Sequence, residues 1–273
     1  MFRFSTFVLS TLVVLIFLPS LFAQNIRRPK FDTGIDLSQE AAMERWTQFA
    51  SSRLGGDYCM RFEIKHRPRK GEEIKYVGYM LGAQRGATVF TRVSVAPASR
   101  PKNTSDFILK NSPSGSDVWK FSGDKFKKLS QKDWTIPMSE GLLYSPFDLL
   151  MPYKFWQPTY TGAGRVGQPV HTYRLSSPDL PTRVVLVALT RDFNAPAQIQ
   201  IYNSDVKTTT AQLGSVKRID GLWIMREASV KDEISKDKDV LKITEAKFRL
   251  MLDFTIFSPD SKRNIEIPQL QKL

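Results

Sequence analysis

The sequence predicts a mainly β protein of α+β character, built as one large antiparallel sheet that curls or closes on itself. Three observations predict it. About a dozen segments alternate apolar and polar residues with period two, the pattern of strands with one dry face. Turn residues punctuate them, most clearly Asp220-Gly221 between two apolar-alternating runs, where both central positions favour a hairpin turn. Helical spacing occurs only in one stretch before the strands and one short stretch in the middle. An open sheet of that many strands must curl or close to manage its edges.

The chain begins with one basic residue, Arg3, followed by an uncharged run of mostly Val, Leu, Ile and Phe from Phe7 to Phe22. Leu21-Phe22-Ala23 places a small residue where a signal peptidase cuts, so residues 1–23 read as a secretory signal peptide. The rival reading is an uncleaved anchor. The run is close to the lower limit of ~17 residues for spanning a bilayer, and Pro19 breaks it. No cysteine follows to accept a lipid anchor. Residues 24–35 read as a loose basic leader and residues 36–273 as a single domain.

That domain opens on a helix. Asp36 and Gln39 have capping-box spacing, and Ala42, Trp46, Phe49 and Ala50 recur at helical spacing. Gly55-Gly56 is expected to end it. From Tyr58 the period becomes two: Tyr58, Met60, Phe62 and Ile64 alternate with Cys59, Arg61, Glu63 and Lys65. Further strands are predicted over 74–83, 88–96, 106–111, 117–122 and 125–129, then 159–166, 170–176, 183–190 and 197–203. The last group is 208–219, 222–231 and 240–250. Between the two halves, Ser145-Pro146-Phe147-Asp148 supplies a capping Ser, a Pro at the first helical position and an acid three residues on. Phe147, Leu150 and Met151 give this short helix an apolar face, and Pro152 is expected to stop it.

Lys and Arg exceed Asp and Glu by 13, and by 12 once Arg3 is removed with the signal. Such an excess favours anionic partners, namely anionic membrane surfaces or acidic proteins; export argues against nucleic acid. Surface solvation is the bland alternative. Cys59 is the only cysteine, so stability rests on a core and not on an intrachain disulfide. It reads as an outward or half-buried strand residue.

Catalytic chemistry finds no motif. Gly162, Gly164 and Gly167 fit G-x-G-x-x-G, but Gln168-Pro169 and a strand follow where a phosphate-binding helix is required. The only histidines, His66 and His171, have no partner at metal or nucleophile spacing. No G-x-S-x-G elbow is present. The expectation is no catalytic residue, no metal and no cofactor. The aromatics on strands and the short helix form either an ordinary core or the wall of an apolar cavity suited to lipid chains. The lining candidates are Phe62, Ile64, Trp119, Phe121, Phe147, Leu150, Ile224 and Phe248.

Four segments in order carry a resemblance. They are Asp117-Val118-Trp119-Lys120-Phe121 with Gly123-Asp124-Lys125-Phe126, then Gly141 to Leu150, then Arg218 to Met225, then Lys238 to Phe248. Together they resemble the outer-membrane lipoprotein-sorting proteins of the LolA-like superfamily, over roughly residues 115–257. The resemblance implies a half-open antiparallel barrel lidded by an N-terminal helix and a short central helix. It implies a non-enzymatic periplasmic carrier, in a Gram-negative-type bacterium, that buries the acyl chains of lipids or lipoproteins. The chain lacks the Arg-Pro pair after the second strand that latches the lid of the classic carriers, so no latch residue is transferred. The alternatives are a lipid-sensing or interaction module of the same fold, and a secreted hydrolase.

Overall fold

The computed structural model describes residues 35–52, 56–219 and 221–273. Residues 1–34, read from sequence as a signal peptide and most of a leader, lie outside them. Helix α1 (Gln39–Ser51) leads into β1 (Asp57–Arg67), β2 (Ile74–Arg85), β3 (Thr88–Pro97), β4 (Ser105–Ser112), β5 (Gly115–Ser122) and β6 (Lys125–Lys128). A crossing segment follows, with a 3-10 turn (Gln131–Thr135), α2 (Pro146–Leu150) and a second 3-10 turn (Pro152–Phe155). Then come β7 (Gln157–Val166), β8 (Gln168–Ser177), β9 (Leu180–Thr190), β10 (Pro196–Asn203) and β11 (Val206–Leu213). The chain closes with β12 (Val216–Ile219), β13 (Leu222–Met225), β14 (Glu227–Asp232), β15 (Lys238–Leu250), a 3-10 turn (Phe254–Phe257) and β16 (Gln271–Lys272).

Fourteen strands form one antiparallel sheet in the order β6-β5-β4-β3-β2-β1-β15-β14-β11-β10-β9-β8-β7, with β16 added on β15. The two halves of the chain therefore run outward from a central β1–β15 pair, where Phe62 faces Ile243 and His66 faces Asp239. Strands β6 and β7 are not paired to each other, so the sheet is a half-open barrel. One face of every long strand converges on a single core. Phe62, Val95, Phe107 and Val118 come from the first half, and Tyr173, Val187, Val230 and Ile243 from the second. Residues from near both edges share that cluster, so the sheet wraps around it.

Two glycines let the sheet bend over its own aromatics. Gly82 stands opposite Tyr58 and Gly78 opposite Phe62. A Cβ at Gly82 would fall 2.1 Å from the Tyr58 ring, and one at Gly78 would meet the Ser94 carbonyl at 2.2 Å. Neither position accepts a side chain without a shift of its neighbours.

Several expectations are corrected. The N-cap of α1 is Ser38, whose hydroxyl accepts from the Ala41 amide. Asp36 is spent elsewhere, on the Ala163 amide of β7. The helix ends on Ser52, while Gly55 lies outside the described residues. As expected, α2 does not pass Pro152: it ends at Leu150, Met151 caps it at φ 48°, and Pro152 opens a separate 3-10 turn. The predicted strands 208–219 and 222–231 each break in two, at Gly214-Ser215 and at Arg226, because β12 and β13 leave the large sheet and pair only with each other. The capping box at Ser145 and Asp148 is formed. Gly162 and Gly164 lie on β7 and Gly167 turns it into β8, a plain hairpin.

The outer face was not foreseen. Residues beyond Leu250 fold back over it, where Phe257, Ile256, Ile265 and Ile267 cover Leu81, Ala83 and Cys59. Cys59 is thus fully buried, not outward, and burial pushes its thiol up to about 11. Arg92, also fully buried, straps this segment down. Its guanidinium donates to the carbonyls of Ile256 (2.8 Å), Lys262 (2.6 Å) and Arg263 (2.7 Å) and to the Ser261 hydroxyl (2.9 Å).

Candidate functional site

The concave core is closed by three separate pieces of chain and not by pairing of the two sheet edges. The first is α1, whose Ala42, Trp46 and Phe49 face inward as the helical spacing predicts. The second is the crossing segment between β6 and β7, carrying Trp134, Met138, Leu142, Phe147, Leu150 and Tyr153. The third is the β12–β13 hairpin, which buries Ile219, Leu222 and Ile224 in the same cluster. Its outer side is exposed at Val216 and Met225.

Six of the eight lining candidates meet in this core: Phe62, Ile64, Phe147, Leu150, Ile224 and Phe248 are all at most 5% exposed. Trp119 and Phe121 do not join them. Val118 points inward, so the alternation of β5 turns its odd-numbered neighbours to the outer face. There Trp119 lies under the Lys128 ammonium, and Phe121 lies under Arg263 and against Phe126. Leu150, expected on a roomy wall, is instead packed among other buried side chains. Two polar grooves, of about 270 and 340 Å³, lie on the outside of the sheet and not under the lids.

Two of the lids, α1 and the crossing segment, are held by a few polar bonds across long stretches of sequence. The Tyr173 hydroxyl on β8 donates to the Ala42 carbonyl of α1 at 3.0 Å. Arg45 of α1 donates to the Thr190 carbonyl at 2.7 Å and also to that of Arg191, and the Asn194 amide donates back to the Arg45 carbonyl at 2.9 Å. The Leu37 amide donates to the Tyr160 hydroxyl, itself bonded to His171. On the crossing segment, Asn111 of β4 donates to the Leu150 carbonyl at 2.7 Å, and the Tyr76 hydroxyl donates to that of Glu140.

The central latch is Asp239, fully buried on β15. One carboxylate oxygen accepts from the Leu143 amide at 2.7 Å and the Tyr144 amide at 3.3 Å, and the other lies 2.8 Å from Nδ1 of His66. Burial pushes the Asp239 carboxyl up, against the opposing pull of the His66 bond and the two backbone amides. Both histidines thus have partners invisible to motif spacing, His66 through the β1–β15 register and His171 through the β7–β8 hairpin. No serine hydroxyl is hydrogen-bonded to either ring among the described residues. Nor do those residues hold a His, Cys, Asp and Glu cluster able to bind a metal ion.

No family model matches the chain, and no curated protein matches it. Solved structures do. A domain described as an outer membrane lipoprotein-sorting protein from Vibrio parahaemolyticus is 16% identical, with a TM-score of 0.67 over 80% of this chain and 95% of that one. A DUF1329 family protein from Desulfovibrio piger is 10% identical, with a TM-score of 0.70 over 81% of this chain and 97% of that one. A LolA superfamily protein from Nitrosomonas europaea is 16% identical, with a TM-score of 0.61 over 82% of this chain and 99% of that one. At these identities the likeness is one of architecture, and it spans nearly the whole of each relative: the chain has the LolA-like fold.

Proposed function

We propose that the protein is a non-catalytic periplasmic carrier that buries the acyl chains of lipids or lipoproteins beneath its lids. The observation that carries the reading is the manner of closure. A wide apolar face, gathered from near both edges of a half-open sheet, is covered by three separate pieces, two of them tethered through hydrogen bonds. A protein that needed only a stable core could close the β6–β7 gap with strand pairing. The lids are held by hydrogen bonds, each worth about 0.5–1.5 kcal/mol net, and by the burial of their own apolar side chains, which an acyl chain entering beneath them would replace. Each acyl methylene taken from water there contributes about 0.8 kcal/mol, so a long chain outweighs the loss of several lid bonds. The LolA-like fold and the signal peptide read at residues 1–23 support the same assignment and its location.

The test is titration of the purified protein with a fluorescent fatty-acyl probe, read by probe emission and by hydrogen exchange. Saturable binding, with altered protection confined to α1, the crossing segment and the β12–β13 hairpin, is expected. Absence of binding, or binding that leaves those three pieces unchanged, overturns the reading.

A further inference from the structure

The seam between two of the lids holds a cation with no counter-charge. Along it Trp46 packs on Phe49 and Tyr173, with ring centroids 5.2 and 5.1 Å apart, while Tyr153 and Trp156 enclose the other side with Phe147. Into this aromatic seam the 3-10 turn at Pro152–Phe155 sends Lys154, whose ammonium lies 4.9 Å from the centre of the Phe49 ring on α1. It has no ion-pair partner among the described residues. Lys128 makes a useful contrast: it too lies over an aromatic ring, Trp119, but Asp117 neutralises it at 2.6 Å.

Several charged and titratable groups on the elements packed around Lys154 are engaged elsewhere. On α1, Arg45 is bound to the Thr190 and Arg191 carbonyls and Glu44 accepts from Gln48. On β8, His171 is bonded to Tyr160, and the Tyr173 hydroxyl donates to Ala42. Burial alone lowers the Lys154 pKa, to about 8, with no neighbouring charge contributing. The residue as a whole is only half-buried, so its long stem has room to carry the ammonium outward, as lysines commonly do. Instead the ammonium lies against the Phe49 ring at the seam, partly desolvated, and the cation–π contact, worth about 0.5–2 kcal/mol, offsets that cost only in part.

Resting on the carrier reading, we infer that the cargo is an anionic amphiphile whose acidic headgroup pairs with the Lys154 ammonium at this seam. The chain would enter beneath α1 while the head stays at the contact between helix and turn. A carboxylate and a phosphate monoester share the required chemistry: a compact anion that accepts from an ammonium and replaces its missing counter-charge.

The experiment compares palmitic acid, palmitoyl lysophosphatidic acid and neutral hexadecanol as competitors for a bound fluorescent acyl probe, in wild type and in Lys154→Met and Lys154→Arg. Methionine keeps the stem and the contact with Phe49 but removes the charge. Lys154→Met is expected to lose about tenfold affinity for the acids, the scale of one charge-assisted bond, with hexadecanol unchanged and Lys154→Arg restoring most of the loss. A larger loss for palmitate assigns a carboxylate and a larger loss for the lysophospholipid a phosphate, and either supports the inference. In wild type the preference for acid over alcohol should fade as pH rises through about 8 and the ammonium loses its proton. Equal affinities for acids and alcohol in wild type, or equal losses for both in Lys154→Met, overturn it. If wild type takes up none of the three, it is the carrier reading that fails, and this inference falls with it.

Discussion

Replacing Asp239 with alanine removes a side chain on the central strand β15 that ties the crossing segment to the sheet. Three donors lose their acceptor together: the Leu143 amide, the Tyr144 amide and the His66 ring. Two of the three, Tyr144 and His66, are buried where water does not replace the lost partner. Leaving a buried donor without its acceptor typically costs about 1–3 kcal/mol, so the three together should cost about 3–5 kcal/mol or more. That is a large part of the roughly 5–15 kcal/mol that holds a domain folded. Asparagine behaves differently. Its carbonyl oxygen can accept from the two backbone amides, and its NH₂ can donate to Nδ1 of His66 once that ring carries its proton on Nε2. Asp239→Asn should therefore cost about 1 kcal/mol, near one ordinary hydrogen bond. Urea melts give both numbers, and native-state hydrogen exchange shows where the alanine variant opens. The expected result is faster exchange at residues 139–156 and faster uptake of an acyl probe. If the alanine and asparagine variants melt within about 0.5 kcal/mol of each other, well inside the gap expected from these costs, Asp239 is not a latch and the argument fails.

Three further variants test other parts of the frame. Arg92→Met should destabilise by about 3–5 kcal/mol, because four acceptors lose a buried donor, and limited proteolysis should then cut within residues 251–273; resistance equal to wild type would contradict the strap. Gly82→Val should cost about 1–3 kcal/mol by driving a side chain into the Tyr58 ring, and a Tyr58→Ala background should recover part of that loss in thermal melts. Ile224→Ala should cost about 2–5 kcal/mol although β13 lies outside the large sheet, since Ile224 is 4% exposed; a change under ~1 kcal/mol, the scale of a surface substitution, would mean that the hairpin is only peripheral.

The strands were legible because each carries its own alternation, and the Asp-Gly hairpin because its turn chemistry is local. Phe62 and Ile64 on β1, and Phe147 and Leu150 on α2, were readable as inward residues for the same reason. Trp119 and Phe121 were misplaced because hydrophobicity alone does not say which face of β5 is the core; the outer face is apolar too, under the C-terminal segment. That segment has no periodicity to read, and its anchor, Arg92, looks in sequence like any solvent-facing arginine of an alternating strand. The latches were hidden for a topological reason. Asp239 and His66 are 173 residues apart and meet only through the β1–β15 register, and Tyr173 finds Ala42 across 131 residues. Lys154 gave no signal at all, since a single lysine after Pro-Tyr is ordinary until its surroundings are known.

The carrier account stands most directly on whether the closed core yields to a chain. Native mass spectrometry of the protein released gently from cells that make the full chain, without detergent, measures this in one step. The account predicts a population carrying one acylated molecule, which dissociates to leave the bare chain at its mature mass. A single species at the bare mass, unchanged after incubation with excess palmitic acid and lysophosphatidic acid, would contradict it.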